Sequence, residues 1–212
     1  LALSRAALRG SPAGEYLRSR GISPATALLY GLGYGVYHPL VSAEAQVAAE
    51  QSGLVSRKGT WLWGGGVVYA DPPLSPAAIQ VRHLRPHADK KYQTWGRRET
   101  PLGAWRLRPQ VKTLIVVEGL FDFLTVNQVI RERGREDLLC VFTGGASPNA
   151  AMLHWFAEHP FRYILLPDPD AAGADWTRVI SKAIPSEAAV ETFSLQSDPD
   201  EAFLSGWWPP GL

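Results

Sequence analysis

Cysteine is almost absent from this chain. Its 212 residues include one, Cys140, inside the apolar run "LLCVF". That excludes an internal disulfide and a zinc site built on several cysteines. A lone cysteine in an apolar run reads as a small buried side chain. Long apolar runs are missing as well, and none approaches the ~18 residues that a membrane span needs. The start, "LALSRAALRGSPAGEYL", lacks the apolar stretch behind a basic end that marks a secretory leader. Methionine occurs once, at Met152, so the chain is expected to be a piece of a longer protein. There is no internal repeat and no low-complexity segment.

What is present is an ordinary globular composition, 46% hydrophobic and 19% charged,. The net charge is only +1, but the charges are segregated. Residues 82–112 carry nine Lys/Arg against two acids, a net +7, and residues 118–201 carry fourteen acids against six bases, a net −8. A charge run is usually a solvated face. A basic block followed by an acidic one instead fits a site that holds a polyanion on one side and metal ions on the other.

The spacing predicts two kinds of architecture. In the N-terminal part, Ser11–Pro12 and Ser23–Pro24 each open a short helix, and Gly21 and Gly31 close them. Residues 42–53 suit a third helix. From 59 to 83 the chain alternates ("TWLWGGGVVYA", "AIQVRHL"), which predicts short antiparallel strands around the turn "DPPLSP". A basic, turn-rich passage follows. From Lys112 the rhythm changes to apolar strand, then helix, three times: "TLIVVEG" and "LFDFLTVNQVIRERG"; "DLLCVFTGG" and "SPNAAMLHWFAEHP", with Ser147 as N-cap; "FRYILLPD" and "AAGADWTRVISKAI". A last strand, "AAVETFSL", ends the pattern. Such alternation predicts βαβ units on a parallel sheet. The fold class is therefore α/β, an α+β N-terminal subdomain (1–110) followed by a Rossmann-like parallel sheet (111–204) and a tail or linker (205–212).

Parallel sheets gather ligands at the carboxyl ends of their strands. Glu118 ends one strand, and Asp168 and Asp170 end another. If the chain stays extended, residues two apart face the same side, ~6–7 Å apart at the Cα atoms, so both carboxylates can reach one ion or a close pair. Asp122 lies one helical turn after Glu118. Oxygen donors of this kind suit Mg²⁺ or Mn²⁺. A single aspartate at a strand end would be explained by helix capping alone. Glu-Gly-x-x-Asp after one strand and Asp-x-Asp after another are harder to obtain from capping. "TGGASPN" brings Gly144 and Gly145 to a strand end, either to meet a phosphate or as a plain turn. Trp61, Trp63, Trp95 and Trp105 flank the basic block and suit either base stacking or the core. His83 and His87 sit among arginines, and no zinc site is expected there.

"VVEGLFDFLTVNQ", "LLPDPDAAG" and "SDPDEAFL" resemble the Toprim domain shared by topoisomerases and primases. "EYLRSRGISPATALLYGLGYG" and "VRHLRPHADKKYQTWGRRETPL" resemble the RNA-polymerase core of bacterial DnaG-type primases. The likeness spans nearly the whole chain, and its upstream part selects primase among Toprim proteins. The resemblance implies an acidic metal-binding cluster of Glu118, Asp122, Asp168, Asp170, Asp198 and Asp200, with Glu118, Asp168 and Asp170 catalytic and Glu118 the candidate for acid–base work. It implies nucleotide or template contacts from Arg82, Lys90, Lys91 and Tyr92, and from Gly144 and Gly145. It also implies two or more Mg²⁺ or Mn²⁺ ions without zinc, and DNA-directed RNA primer synthesis from NTPs on single-stranded DNA. The partners that follow are the template, the NTPs, the RNA–DNA hybrid product and a replicative helicase. No membrane is involved, and the location implied is the cytoplasm of a bacterial, plasmid or phage system.

The sequence departs from the pattern in three ways. Pro169 stands where these proteins usually carry Gly, "KKYQTW" replaces the usual Lys-Tyr-Leu-Asn run, and no Cys–His zinc module precedes the core. Two other functions stay open. One is a Toprim nuclease that turns the same acids to phosphodiester hydrolysis. The other is a non-catalytic single-strand-binding module of a larger replication protein.

Overall fold

A computed structural model describes residues 5–35, 47, 50–51, 55, 64–85 and 90–212. The chain divides into two compact units, 1–97 and 98–212.

The first unit opens on the two capped helices. Helix α1 (Pro12–Ser19) takes Ser11 as N-cap, whose Oγ accepts the Gly14 N–H at 3.2 Å. Helix α2 (Pro24–Leu29) takes Ser23, whose Oγ accepts the Thr26 N–H at 3.2 Å. Both match the expected caps. The helix expected over 42–53 falls largely outside the described residues, as do Trp61, Trp63 and His87.

Four antiparallel strands follow in the order β1-β2-β3-β4: β1 (Gly33–Tyr34), β2 (Gly66–Asp71), β3 (Ala78–His83) and β4 (Tyr92–Gly96). The last of these lies in the passage that the sequence marks only as turn-rich. It pairs with β3, setting Arg82 opposite Tyr92 and Ile79 opposite Trp95. Its polar residues fit an edge strand that is only half buried. Trp95 and Ile79 pack against buried Val68 and Val81 in a small core, so Trp95 takes the packing role.

The second unit is the expected parallel α/β layer. It runs β5 (Thr113–Val117), α3 (Leu120–Glu132), β6 (Leu138–Phe142), α4 (Ala150–Glu158), β7 (Arg162–Leu166), α5 (Ala171–Ala183), β8 (Val190–Thr192) and α6 (Pro199–Leu204). The strand order is β6-β5-β7-β8. Val116, Val141, Leu165, Phe156, Trp176 and Ile180 are buried in its main core.

Three details differ from the sequence expectation. The cap of α4 is Asn149, whose Oδ1 accepts the Met152 N–H at 2.9 Å, not Ser147. An Asn caps as well as a Ser, and here the same side chain also donates through Nδ2 to the Arg98 carbonyl at 3.0 Å. Residues 98–110, expected with the first subdomain, belong to the second unit, where Leu102 bridges Phe142 of β6. The 205–212 segment, expected as a tail, packs on α6: the Trp207 ring lies 5.3 Å from Phe203 and 5.7 Å from Phe193.

One buried polar contact holds the sheet edge. Asn127, on α3, donates to the Phe123 and Cys140 carbonyls at 2.9 and 3.0 Å and accepts the Cys140 N–H at 3.1 Å. A side chain thus supplies the outer edge strand β6 with partners that a further strand would otherwise give. Cys140 is fully buried and free, as its apolar run implies.

Candidate active site

The strand order fixes where a site can form. From β5 the chain crosses to β6 on one side, whereas β7 leads to β8 on the other. The carboxyl ends of neighbouring β5 and β7 are therefore the switch point of the sheet, where parallel α/β folds leave a crevice. Glu118 follows β5 directly and Asp168 follows β7 by two residues.

These two residues are in contact. Glu118 is buried, and its Oε1 accepts the Asp168 N–H at 3.1 Å. Asp122 lies in the first turn of α3 and is also buried. Its Oδ1 accepts the Asp200 N–H at 3.1 Å, which ties α3 to the start of α6. Asp200 is 1% exposed, and its Oδ1 accepts the Glu201 N–H at 2.9 Å. Asp198 precedes α6 and is exposed.

Two glycines make the approach possible. A Cβ on Gly119 would lie 2.5 Å from Asp122 Oδ2, so the Gly of Glu-Gly-x-x-Asp clears the space into which Asp122 folds back. A Cβ on Gly173 would lie 2.2 Å from the Asp168 carbonyl oxygen. The small residues after Asp170 therefore let α5 press its first turn onto the end of β7.

The Asp-Pro-Asp geometry differs from the extended pair that the spacing suggests. Strand β7 stops at Leu166, and the Asp170 N–H turns back to the Asp168 carbonyl at 2.8 Å across Pro169. Proline fixes its own φ and lacks a donor, which favours such a tight reversal. Asp170 is exposed and caps α5, its Oδ1 accepting the Gly173 N–H at 2.8 Å. Capping is thus part of what Asp170 does.

The six acids nevertheless share one electrostatic field. Burial, followed by repulsion from Asp168, Asp170 and Asp198, pushes Glu118 up to about 7 despite the opposing Asp168 hydrogen bond. Burial, then Asp200, Asp168 and Asp198, pushes Asp122 up to about 7 against the opposing Asp200 hydrogen bond. Both carboxyls would rather hold a proton than stand charged among their neighbours. Among the described residues, no three acidic, histidine or cysteine side chains are close enough to form a ready-made ion cage. The acids instead form two linked pairs, Glu118 with Asp168 and Asp122 with Asp200.

Gly144 and Gly145 follow β6. The Gly145 N–H donates to the Glu118 carbonyl at 2.9 Å, so that donor is engaged within the protein. Thr143 and Trp176 also meet here, through the Trp176 Nε1–H to the Thr143 Oγ1 at 2.9 Å. Sequence reasoning passes over both, because a threonine before two glycines and a tryptophan on a helix carry no signal of each other.

In the first unit, Arg82 lies against two rings, its guanidinium carbon 5.2 Å from the Tyr92 centroid and 5.7 Å from that of Tyr16. Its Nη1 donates to the His83 carbonyl at 3.2 Å. Lys91 Nζ is 5.9 Å from the Tyr92 ring. Lys90 and Lys91 are exposed. Pro12, Tyr16, Arg82, Arg85 and Lys91 help line a cleft of about 550 Å³. Arg82, Lys91 and Tyr92 are thus brought together. Tyr16 joins them from α1, a residue that the sequence does not single out. His83 is buried and its Nε2 pairs with Gln93 Oε1 at 2.9 Å.

Residues 115–203 match the Toprim-like family. The whole chain has the fold of DnaG primase catalytic cores. It superposes on a DnaG catalytic core with a TM-score of 0.76 at 17% identity, covering 97% of this chain and 73% of that one. A DnaG primase catalytic domain bound to single-stranded DNA gives 0.75 at 18% identity, over 98% of this chain and 74% of the other. The Aquifex aeolicus primase, with its zinc-binding and RNA polymerase domains, gives 0.71 at 23% identity, over 97% and 55%. No curated protein sequence matches. Among the described residues, no helix is long and apolar enough to cross a membrane.

Proposed function

We propose that the chain is a primase-type RNA polymerase core that joins NTPs on a single-stranded DNA template. The observation that carries this reading is the contact of Glu118 with Asp168 at the switch point of the parallel sheet, inside a fold that matches a DnaG core over 97% of this chain. The six acids offer oxygen donors only, and Glu118 and Asp122 feel the charges of the other four. That donor set fits Mg²⁺ or Mn²⁺ and does not fit zinc.

Glu118, Asp168 and Asp170 would hold the ions on the sheet side, and Asp122, Asp198 and Asp200 would hold them from α3 and α6. Bound there, divalent ions supply charge neutralisation for an attacking hydroxyl and a departing pyrophosphate. Glu118, at the end of β5 and in contact with the Asp168 N–H, is the carboxylate placed to take the hydroxyl proton,. Arg82, Lys90, Lys91 and Tyr92 hold nucleotide or template phosphates and bases through charge and ring stacking.

The test is incorporation of labelled NTPs on a single-stranded template, primed and unprimed, in Mg²⁺ or Mn²⁺. Wild type makes template-dependent RNA. Glu118→Gln and Asp168→Asn lose at least about a hundredfold in rate while melting as folded proteins. Cleavage of the template in place of synthesis would replace this reading with a nuclease. Salt-sensitive binding with neither reaction would replace it with a binding module.

A further inference from the structure

Thr143 follows β6 directly with its side chain buried, and its hydroxyl is used twice. It accepts the Trp176 Nε1–H at 2.9 Å and donates to the Gly145 carbonyl at 2.7 Å. Trp176 is fully buried in α5. The Thr143 N–H donates to the Val117 carbonyl at 3.1 Å, and the Gly145 N–H donates to the Glu118 carbonyl at 2.9 Å. Glu118 Oε1 in turn takes the Asp168 N–H at 3.1 Å. The Asp168 carbonyl is pressed against Gly173, three residues before Trp176. The contacts close a ring: α5 to β6, β6 to β5, β5 to β7, and β7 back to α5.

Within that ring, Thr143 is the member with a choice of geometry to enforce. Gly145 has a φ of 132°, a backbone region that offers no side chain to anchor the loop. The anchor comes instead from Thr143, a β-branched residue stiff about χ1, whose hydroxyl is oriented because Trp176 occupies its acceptor side. Gly145 is thus tied on both sides, its carbonyl by the Thr143 hydroxyl and its N–H by the Glu118 carbonyl. The peptide that carries the Glu118 side chain is then held from its far side.

We propose that Thr143, locked by Trp176, is a positioning residue for Glu118. It fixes the Gly144–Gly145 loop as a clamp on the Glu118 backbone and touches no substrate. The proposal rests on the polymerase reading above and deepens it, by making the loop after β6 a support for the acid and not a phosphate cradle.

Thr143→Val keeps the shape, removes both hydroxyl bonds and leaves the Trp176 N–H buried without its acceptor. Thr143→Ser restores the hydroxyl. The experiment compares both with wild type in steady-state NTP incorporation on a primed template, in single-strand binding, in melting, and in amide hydrogen exchange at Gly145 and Asp168. In Thr143→Val, kcat is expected to fall about tenfold or more, because small misplacement of a reacting group is costly. KM for NTP and template affinity are expected to stay within about twofold of wild type, since Thr143 holds neither. Exchange at Gly145 and Asp168 is expected to speed up by about tenfold or more as their bonds loosen. Thr143→Ser is expected to recover to within about threefold of wild type on both readouts.

Wild-type turnover and protection in Thr143→Val would overturn the proposal. So would parallel losses in turnover, template affinity and melting that serine does not rescue, because those mark a merely structural residue. If wild type itself incorporates no nucleotide, the polymerase reading fails, and amide exchange still decides the clamp. Unchanged protection in Thr143→Val then overturns it, and selective loss at Gly145 and Asp168 upholds it.

Discussion

Asp122→Asn should make the metal-free protein more stable at alkaline pH. Asp122 is buried, and its surroundings push it from an ordinary 3.8 up to about 7. Glu118 goes from 4.5 up to about 7 for the same reasons. A raised carboxyl binds its proton more tightly in the fold than in the unfolded chain. Its contribution is therefore fully favourable below about pH 4 and is lost as pH rises through about 7. At 1.36 kcal/mol per pKa unit, Asp122 alone costs about 4 kcal/mol at pH 8 and Glu118 about 3 kcal/mol. The two do not add in full, because both feel Asp168 and Asp198.

Asparagine at 122 keeps an oxygen to accept the Asp200 N–H and carries no charge. Urea unfolding in chelator at pH 4.5, 6 and 8 is the assay. Wild type should lose several kcal/mol between the first and last, and Asp122→Asn should recover about 3 kcal/mol of that, its advantage growing from about 1 kcal/mol at pH 4.5 to about 4 kcal/mol at pH 8. Mg²⁺ added at pH 8 should stabilise wild type more than the variant. A wild-type stability that is flat from pH 4.5 to 8, or a variant no more stable at pH 8, would refute the picture of acids held together against their repulsion.

Three further outcomes follow from particular contacts. Gly173→Ala places a methyl 2.2 Å from the Asp168 carbonyl, so it should displace that turn and lower NTP incorporation far more than it lowers template binding; equal effects on both would contradict the close-approach argument. Asn127→Ala strips the Cys140 N–H and carbonyl of their partners and should cost about 2–4 kcal/mol in urea unfolding, from two buried backbone groups left unsatisfied; a loss below about 1 kcal/mol would mean that water reaches the β6 edge. Arg82→Ala removes the cation between Tyr16 and Tyr92 and should weaken single-strand binding and flatten its salt dependence by about one unit of slope, without changing Mn²⁺ affinity; an unchanged slope would remove Arg82 from the phosphate contacts.

The sequence exposes those features that are local or periodic. Ser11–Pro12 and Ser23–Pro24 carry their capping signal within four residues, and the apolar strands β5, β6 and β7 need no context to be recognised. Glu118 and Asp168 are legible as strand-end acids for the same reason. Features set by distant partners are hidden. Strand β4 is polar and becomes a strand only because β3 offers it a ladder. Asn149 displaces Ser147 as cap because the same side chain also finds the Arg98 carbonyl. The bend at Pro169 turns Asp170 toward Gly173, and the spacing alone predicts two acids on one extended face. Thr143, Trp176 and Asn127 act through bonds spanning 33 and 13 residues, which no short window displays.

The backbone hydrogen bonds explain how so many acids can share one sheet edge. Each buried or capping carboxylate is held by an N–H that belongs to the group's own neighbourhood: Asp168 N–H on Glu118, Asp200 N–H on Asp122, Gly173 N–H on Asp170 and Glu201 N–H on Asp200. In three of the four the donor is the backbone of another acid, so residues that repel through their side chains bind through their main chains. Charge-assisted bonds of this kind offset part of the repulsion, and they act in the lowering direction on both Glu118 and Asp122. They use one oxygen of each carboxyl and fix its orientation. The residual cost, seen in carboxyls pushed up to about 7, is the part that backbone donors cannot remove and that a divalent cation can. An arrangement selected only to cap helices would have no reason to bury Glu118, which caps none, or to bring β5, β7, α3 and α6 to the same acids.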